Sequence, residues 1–383
     1  MTGPEAGVEL RAELAAVLSG PDGAAALDTM RAGPPSEADP RPVYRLLGER
    51  RLLAPHWPGR YGGRDGSPAD AALVVDALVR AGVPDTLFML SVQIVGAFLL
   101  RAGTDAQRDR LLPGLAAGQR FATVLYSEPE AGSDLAALRT EAVSTPDGGW
   151  LLSGRKVYSI RAAAADDTLV LARLAPATAQ YHGLTLFLVP LGAAGVEIGT
   201  LPSLADEPFA DVLLDGVRVG PDDVVGPVGE AWPLLADALA VERTGLEYAA
   251  RAAYWLDQAV ARLASGPDAG DADAEAVGRL GAMVDASRLL TGAVLDQLAT
   301  GSADPTLAAA AKWHASEGAA RVARWAAERA GLAGCVAAGD QYAELGGLWE
   351  AAYREAPGLT ISAGTSEMLL QTVGGSLLAG DEG

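Results

Sequence analysis

The sequence predicts an α+β chain of three domains, in which a β-rich middle lies between two helical parts. Its 383 residues exceed what a single hydrophobic core usually organises. Apolar residues follow helical spacing in the first and last parts, whereas short β-rich runs separated by Gly, Pro and Asp fill the middle. We therefore predict an N-terminal helical domain over 1–118, a central antiparallel β-sheet or barrel domain over 119–228, and a C-terminal four-helix-bundle domain over 229–383.

The N-terminal domain contains two predicted helical stretches, 5–31 and 66–118. The turn-rich segments AGPPSEADPRP and APHWPGRYGGRDGSP separate them. In ADAALVVDALVRAG the apolar residues recur every three or four positions, which is the spacing of a helix with one buried face.

Six short runs predict the strands of the central domain: FATVLYS, GWLLSGRKVYSI, TLVLARL, LTLFLVPL, VEIGTL and DVLLDGVRV. After GPVGEAW the chain returns to Ala- and Leu-rich helical patterns. These predict helices over 230–265, 273–300, 305–332 and 340–355, with a final helix over 365–379. The segment LASGPDAGDADAEAVG interrupts them and is predicted to be an exposed loop.

Charge and cysteine content exclude several classes of function. The formal net charge is −20, and no cluster of Lys and Arg offsets it locally, which argues against a nucleic-acid partner. The single cysteine, Cys335, excludes an internal disulfide and suits a reducing compartment. Together with three scattered histidines it cannot form a common zinc site, so we predict no metal centre.

Two further features predict a cytoplasmic protein that does not bind membranes. The N-terminal segment MTGPEAGVELRAELAAVL carries two acids before its first arginine and no cleavable signal pattern. The longest apolar run, LSVQIVGAFLL, is too short to span a bilayer.

The stretch LYSEPEAGSDLAALRT, at the entrance to the β-rich part, gathers polar residues in an unusual density. Ser127, Glu128, Glu130, Ser133 and Asp134 surround a proline and a glycine. Such a set suits a surface turn, an anion-binding loop or a metal site. The Ser-x-x-Glu spacing also fits a helix capping box. The stretch alone does not decide between these readings.

Several motifs together resemble the acyl-CoA dehydrogenase family over nearly the whole chain. LAPHWPGRYGG looks like the family's N-terminal P-x-x-Y-G-G turn, and LLPGLAAGQRFATVLYSEPEAGSD looks like its first signature. GWLLSGRKVYSI is similar to the strand with the G-x-K-x-W-x-[ST] element, and GLTISAGTSEMLLQ resembles the second signature. Two signatures in the right order around a β-rich module make the resemblance specific.

The resemblance implies an FAD enzyme that oxidises a saturated acyl thioester to the α,β-enoyl thioester. Ser127 matches the hydroxyl residue that bonds the flavin pyrimidine, and Tyr126 belongs to the same cofactor-binding stretch. Ser133 matches a residue that faces the phosphopantetheine arm of the substrate. Gly132 permits close approach of the backbone. Glu128 and Asp134 are expected to brace the loop.

The base that removes the α-proton is predicted to be Glu242. In most of the family a glutamate directly precedes the Gly-Thr of the second signature, but Ala363 stands there in this chain. A subset of the family has its glutamate on the helix after the β domain, in the segment that matches LADALAVERTGLEYAARAAY. The residues support this, since Glu242 shares an apolar stripe, spaced by four and three, with Leu235, Leu239, Leu246 and Ala249. A salt-bridged helix glutamate, with adjacent Arg243 or a distant arginine as partner, is the alternative. Glu247 is expected to point away from the stripe into solvent.

The second signature is expected to contribute its backbone and its polar residues. The backbone N–H of Ala363, together with a flavin hydroxyl, is implied to stabilise the developing enolate. Gly364 and Arg243 are assigned to substrate binding. Thr365 and Glu367 are assigned to the cofactor side.

Departures from the family pattern affect the flavin contacts. Tyr158 takes the aromatic position on the flavin, but Ile160 stands where a hydroxyl is expected, which leaves Ser159 or the backbone N–H of Ile160 as donors. The R-x-x-F-G element that holds the FAD pyrophosphate is replaced by LASGPDAGDADAEAVGRL. The arginine of the last helix is replaced by Leu370. These departures, with the high Ala and Gly content, favour a specialised enzyme.

Three readings therefore stay open. The first is an FAD-dependent acyl thioester dehydrogenase that acts on a CoA or acyl carrier protein thioester, with an electron-transfer partner or oxygen as acceptor. The acidic chain favours CoA. The second is a flavin-dependent monooxygenase on the same fold, and the third is a flavin-poor subunit of a heteromeric dehydrogenase. The resemblance also implies a homodimer or homotetramer.

Overall fold

A computed structural model describes residues 4–32, 38–176, 181–207, 209–266, 269–301 and 303–379. It has the three-part architecture that the sequence predicts, with helices, then a β-sheet, then a helical bundle. The helices are α1 (Pro4–Ser19), α2 (Pro21–Met30), α3 (Arg41–Glu49), α4 (Pro68–Arg80), α5 (Thr86–Phe88), α6 (Ala97–Ala102), α7 (Asp105–Ala116), α8 (Ala231–Glu242), α9 (Leu246–Ser265), α10 (Asp271–Ala299), α11 (Pro305–Ala330), α12 (Leu348–Leu359) and α13 (Ser366–Ala379).

The N-terminal part is more divided than the sequence predicts. The first predicted helix is two helices, because the Gly20–Pro21 step ends α1 and begins α2. The second is a series of short helices that includes a π-helical segment, Met89–Gly96, whose residues are all buried. This all-buried segment belongs to the core that joins the N-terminal domain to the sheet and to α8 and α9.

The six predicted strands are all present, and two short strands join them. The eight strands are β1 (Ala122–Leu125), β2 (Glu141–Ser144), β3 (Trp150–Ile160), β4 (Asp167–Leu174), β5 (Leu184–Pro190), β6 (Val196–Leu201), β7 (Phe209–Val219) and β8 (Val224–Val225). They form one sheet in the order β6-β7-β3-β2-β4-β5-β8, with β1 paired to β4. The predicted antiparallel sheet is wrong in one respect, since β1 and β2 both pair with β4 in parallel.

The C-terminal part differs from the prediction at three places. The helix expected over 230–265 is broken between Glu242 and Leu246, where Gly245 has a φ of 76°. The expected loop LASGPDAGDADAEAVG is mostly helical, because α10 already begins at Asp271. The helix expected over 340–355 is α12, which begins at Leu348.

Candidate active site

The first signature forms a loop fixed by a buried ion pair. Glu128 accepts hydrogen bonds from the backbone N–H groups of Arg139 (2.7 Å) and Thr140 (2.9 Å). Its Oε1 also accepts from the Nζ of Lys156 at 2.8 Å, and Lys156 is fully buried. The same ammonium donates to the backbone oxygen of Tyr126 at 3.0 Å. Glu128 therefore braces the loop as predicted, and Lys156 is the partner that sequence reasoning missed.

Burial and the ion pair act in opposite directions on these two groups. Burial lowers the pKa of Lys156 to about 8, although the carboxylate of Glu128 opposes this change. Burial acts to raise the pKa of Glu128, but the charge and hydrogen bond of Lys156 outweigh it, so this pKa is lowered. Both groups are therefore charged at neutral pH, and the ion pair holds the loop to strand β3.

The remaining residues of the first signature lie nearer to solvent. Ser127 is half-buried, and Gly132 and Ser133 are exposed. A Cβ at Gly132 would meet no atom within 4 Å, so the chain itself does not require glycine there. Glu128 and Ala131 exchange two backbone hydrogen bonds in a tight turn, and no helix begins at Ser127. The capping-box interpretation of this stretch is therefore wrong.

The end of strand β3 turns Tyr158 outward and Ser159 inward. A shift of register between Val157 and Ser159 gives Tyr158 a φ of 62°, and its side chain is 59% exposed. Ser159 is buried, and its hydroxyl donates to the backbone oxygen of Val124 at 2.8 Å. Strand β1 thus binds the Ser159 hydroxyl, and its use as a flavin donor stays a prediction. Ile160 stays half-buried beside this bulge.

Glu242 is the last residue of α8 and directly precedes the break between α8 and α9. The apolar stripe predicted to include this residue is only partly present. Leu235, Leu246 and Ala249 are buried, but the break at Gly245 separates the two helices, and the side chain of Leu239 lies outside the described residues. Glu242 itself is half-buried, and desolvation raises its pKa while the charges of Arg243 and Lys312 oppose the rise.

A tyrosine hydroxyl shares the surroundings of Glu242. Tyr126 is only 9% exposed, and its hydroxyl is buried without a hydrogen-bond partner among the described residues. Burial raises the pKa of Tyr126 well above its ordinary value, and the negative charge of Glu242 adds to the effect. The Glu242 carboxyl group therefore lies within electrostatic reach of the Tyr126 phenol.

The residue after Glu242 links this helix to the second signature. The Nε of Arg243 donates to the backbone oxygen of Ala363 at 3.2 Å. Ala363 and Gly364 have φ values of 53° and 100°, so this turn uses left-handed backbone at two successive residues. The guanidinium lies against Gly364, where a Cβ would come within 3.3 Å of Nη2. Glu242, Arg243, Ala363 and Gly364, far apart in sequence, thus meet at one place.

Two predicted residues at the start of α13 have structural partners. The Oγ1 of Thr365 accepts a hydrogen bond from the N–H of Met368 at 3.3 Å, which caps the helix. Glu367 is exposed, and the helix start and Thr365 lower its pKa. Ser366 is buried, and its hydroxyl donates to Glu317 of α11 at 2.7 Å.

Two charged residues near Glu242 were misjudged or missed from the sequence. Glu247 was expected in solvent, but its Oε2 is buried without a hydrogen-bond partner in the described structure, and burial raises its pKa to about 7. Lys312 is fully buried in α11, and its Nζ donates to the backbone oxygens of Leu359 and Gly364, both at 2.9 Å. A signal for Lys312 did exist, because it shares a helical face with Ala308 and Ala315 in an alanine-rich run.

The two ends of the predicted flavin site differ in how well they suit FAD. The exposed ring of Tyr158 and the half-buried Ser127 suit the flavin ring. Where the resemblance calls for a pyrophosphate-binding arginine, α10 begins with Asp271 and Asp273, and Leu370 is 44% exposed on α13. The ring end fits the cofactor, whereas the acidic start of α10 does not suit a pyrophosphate.

The described residues show neither a metal-binding cluster nor a membrane-spanning helix. No group of three or more His, Cys, Asp or Glu side chains in those ranges is arranged to hold a metal ion. No helix there is both long enough and apolar enough to cross a membrane.

Three family models match consecutive parts of the chain. They are the N-terminal domain of acyl-CoA dehydrogenase over 26–119, its middle domain over 123–217 and its C-terminal domain over 229–378. Among curated proteins, the chain is 36% identical over 266 residues to acyl-CoA dehydrogenase FadE34 of Mycobacterium tuberculosis. This match covers 68% of the chain but 36% of FadE34. The match to FadE29 of the same organism is 32% identical and covers 65% of the chain and 64% of FadE29.

Solved structures resemble the chain over its whole length. The Tcur3481-Tcur3483 steroid ACAD has a TM-score of 0.87 at 27% identity and covers 98% of each chain. The ChsE4-ChsE5 complex from Mycobacterium tuberculosis has a TM-score of 0.83 at 28% identity, over 97% of this chain and 96% of that chain. With the three consecutive domain matches, these likenesses confirm the fold class and the resemblance seen in the signatures. The chain belongs to the acyl-CoA dehydrogenase family.

Proposed function

We propose that this chain takes part in the FAD-dependent oxidation of an acyl-CoA to its α,β-enoyl thioester, with Glu242 as the base. One observation carries the proposal. Glu242 is half-buried at the end of α8, desolvation raises its pKa, and the next residue, Arg243, is hydrogen-bonded to the turn of the second signature at Ala363. A carboxyl group whose pKa is raised by burial suits a general base near neutral pH.

Each residue of this arrangement has a distinct task. Glu242 accepts the α-proton of the thioester. The N–H of Ala363 donates no hydrogen bond to any described residue, so it is available for the thioester oxygen as negative charge develops there. Bound FAD supplies the acceptor for the β-hydride. Ser133, exposed on the first-signature loop, is proposed to meet the pantetheine arm.

Several relatives support a CoA thioester as substrate. Besides the steroid ACAD, they include (2S)-methylsuccinyl-CoA dehydrogenase of Cereibacter sphaeroides, at 30% identity, and cyclohexane-1-carbonyl-CoA dehydrogenase of Syntrophus aciditrophicus, at 28%. The net charge of −20 also disfavours an acidic carrier protein. A branched or cyclic acyl group on CoA is therefore the substrate class we propose. A cytoplasmic location and a homo-oligomer stay predictions.

A second candidate, a flavin-poor subunit of a heteromeric dehydrogenase, has one observation in its favour. The acidic start of α10 and the exposed Leu370 leave this chain without the expected pyrophosphate contacts. A similar protein was solved as a complex of two differently named chains, and the match to FadE34 spans only 36% of that protein. The raised pKa of Glu242, by contrast, favours dehydrogenation over the monooxygenase reading, which needs no acyl base.

Flavin content separates the two candidates. The visible absorption spectrum of the purified chain is recorded before and after incubation with excess FAD and desalting. Retained flavin near one per chain, bleached anaerobically by a branched or cyclic acyl-CoA, is the expected result. A chain that stays colourless would refute the proposal for this chain alone and would support the heteromeric subunit.

A conservative variant tests the base. Glu242→Gln should retain flavin but lose at least about 100-fold in bleaching rate, which is the lower end of general-base contributions. The matched control is Glu230→Gln, an exposed glutamate just before α8, which should behave like the unmodified chain. Bleaching at the normal rate by Glu242→Gln would show that the base is another group.

A further inference from the structure

Lys312 is a fully buried lysine whose hydrogen bonds go to backbone rather than to a carboxylate. Its Nζ donates to the backbone oxygens of Leu359 and Gly364, both at 2.9 Å. Burying an ammonium group is costly unless it is well bonded, and two neutral acceptors are a weak compensation. The position therefore needs an explanation beyond packing.

The two carbonyl groups that Lys312 binds lie on either side of the second-signature turn. Residues 360–363 lie between them, and the left-handed backbone of Ala363 costs energy unless its surroundings hold it. Arg243 binds the carbonyl oxygen of Ala363 and Lys312 binds that of Gly364, so the two cations bind successive carbonyl groups of the turn. The N–H of Ala363 is left without a protein acceptor in the described ranges.

The same ammonium group lies within electrostatic reach of the base. Lys312 acts on the pKa values of Glu242 and Glu247, lowering both, and these carboxylates in turn oppose the burial that lowers its own pKa to about 8. Its Nζ also lies 5.1 Å from the ring centre of Tyr248, whose hydroxyl is hydrogen-bonded to Ser362 at 2.9 Å. One side chain thus connects helix α11, the turn and the surroundings of the base.

We propose that Lys312 is a positioning residue for the dehydrogenation, which fixes the Leu359–Gly364 turn so that the Ala363 N–H and the Glu242 carboxyl group face the same thioester. Lys312 acts through the turn and through its charge, without contacting the substrate. The inference rests on the proposed function. It predicts that loss of the ammonium group changes the chemistry of the site, not only the stability of the bundle.

The test compares Lys312→Met with Arg321→Met, which removes an exposed cation from the same helix. The assay uses the flavin-loaded protein and an acyl-CoA that the unmodified chain oxidises. Lys312→Met should lower kcat by about 10- to 100-fold, because small misplacements of catalytic groups cost about this much. KM should change by less than about 3-fold. The acidic limb of the kcat/KM profile should move to higher pH, because Glu242 loses a nearby positive charge. Arg321→Met should change neither quantity.

A second variant and a second readout cover the case in which Lys312→Met folds poorly. Lys312→Gln keeps N–H donors for the turn but lacks the charge, so it should recover part of kcat while retaining the shifted pH limb. Amide hydrogen exchange of residues 359–366, measured without flavin, should rise in Lys312→Met and stay normal in Arg321→Met.

The possible failures are distinguishable. If the unmodified chain oxidises no acyl-CoA, the proposed function fails, and the positioning role fails with it. If that chain is active but Lys312→Met and Lys312→Gln keep its kcat and pH limb, only the positioning role is overturned. A third outcome is that either variant loses thermal stability while its folded fraction keeps the kcat and the acidic limb of the kcat/KM profile of the unmodified chain. That result would likewise show that Lys312 is a purely structural residue.

Discussion

Replacing Lys156 by methionine tests how firmly the ion pair holds the first-signature loop. The side chain is fully buried, and its Nζ donates to Glu128 at 2.8 Å and to the backbone oxygen of Tyr126 at 3.0 Å. Methionine keeps much of the volume of the side chain but makes neither hydrogen bond. The variant therefore leaves a buried carboxylate without its cation.

The expected cost follows from these contacts. A hydrogen bond to a charged group contributes about 1.5–3 kcal/mol and a neutral one about 0.5–1.5 kcal/mol, whereas breaking a buried ion pair costs about 3–5 kcal/mol. The N–H groups of Arg139 and Thr140 continue to bind Glu128 after the substitution, which moderates the loss. We expect the free energy of unfolding to fall by about 3 kcal/mol.

Urea unfolding followed by circular dichroism measures this loss through the midpoint and the slope. The matched control is Arg155→Met on the same strand, since Arg155 forms an exposed ion pair with Asp211. Exposed ion pairs contribute little to stability, so the control should unfold almost like the unmodified chain. Equal losses in the two variants would refute the reasoning that the buried pair holds the loop.

Three further outcomes follow from other parts of the site. The pKa of Glu247 is raised to about 7 from an ordinary 4.5, so the free energy of unfolding should fall as pH rises from 4.5 to 7. Glu247→Gln should remove this pH dependence and raise the free energy of unfolding by up to ~3 kcal/mol above pH 7. An unchanged pH dependence in the variant would contradict this prediction. Tyr126→Phe removes a buried hydroxyl that has no hydrogen-bond partner among the described residues, so the thermal midpoint should not fall, and a lower midpoint would show that this hydroxyl is bonded in the folded protein. Gly245 has a φ of 76°, and a Cβ there would lie 2.9 Å from the Ala311 oxygen. Gly245→Ala should therefore lower the free energy of unfolding in urea by about 1–3 kcal/mol. Unchanged stability would show that the break tolerates a side chain.

Local patterns were sufficient for the order of the elements and for part of the site. The six β-rich runs, the helical texture on either side and the two signatures gave the fold, because alternation and helical spacing are properties of short segments. The role of Glu128 as a brace was expected from the family resemblance of the first signature. Glu242 was selected because Ala363 lacks a carboxyl group and the resemblance places a glutamate on this helix in a subset of the family; its raised pKa agrees with that selection.

Where elements met or ended, sequence reasoning failed for identifiable reasons. Periodicity assigns faces only within a continuous helix, and the break at Gly245 resets the register, so Glu247 lies inward and not in solvent. The alternation along β3 gave no sign of the bulge that turns Tyr158 out and Ser159 in. The parallel pairing of β1 and β2 with β4 depends on crossovers that strand patterns do not record.

By itself, the sequence determined the order of the helical and β-rich parts, and its resemblance to the family predicted a carboxyl group and a turn as the reacting parts. Only the tertiary structure decided which charges surround them. Lys312 reaches carbonyl groups 47 and 52 residues away, and Arg243 reaches one 120 residues away. The reason is physical, since the cost of burying a charge depends on partners brought from distant parts of the chain, and no local pattern specifies those partners.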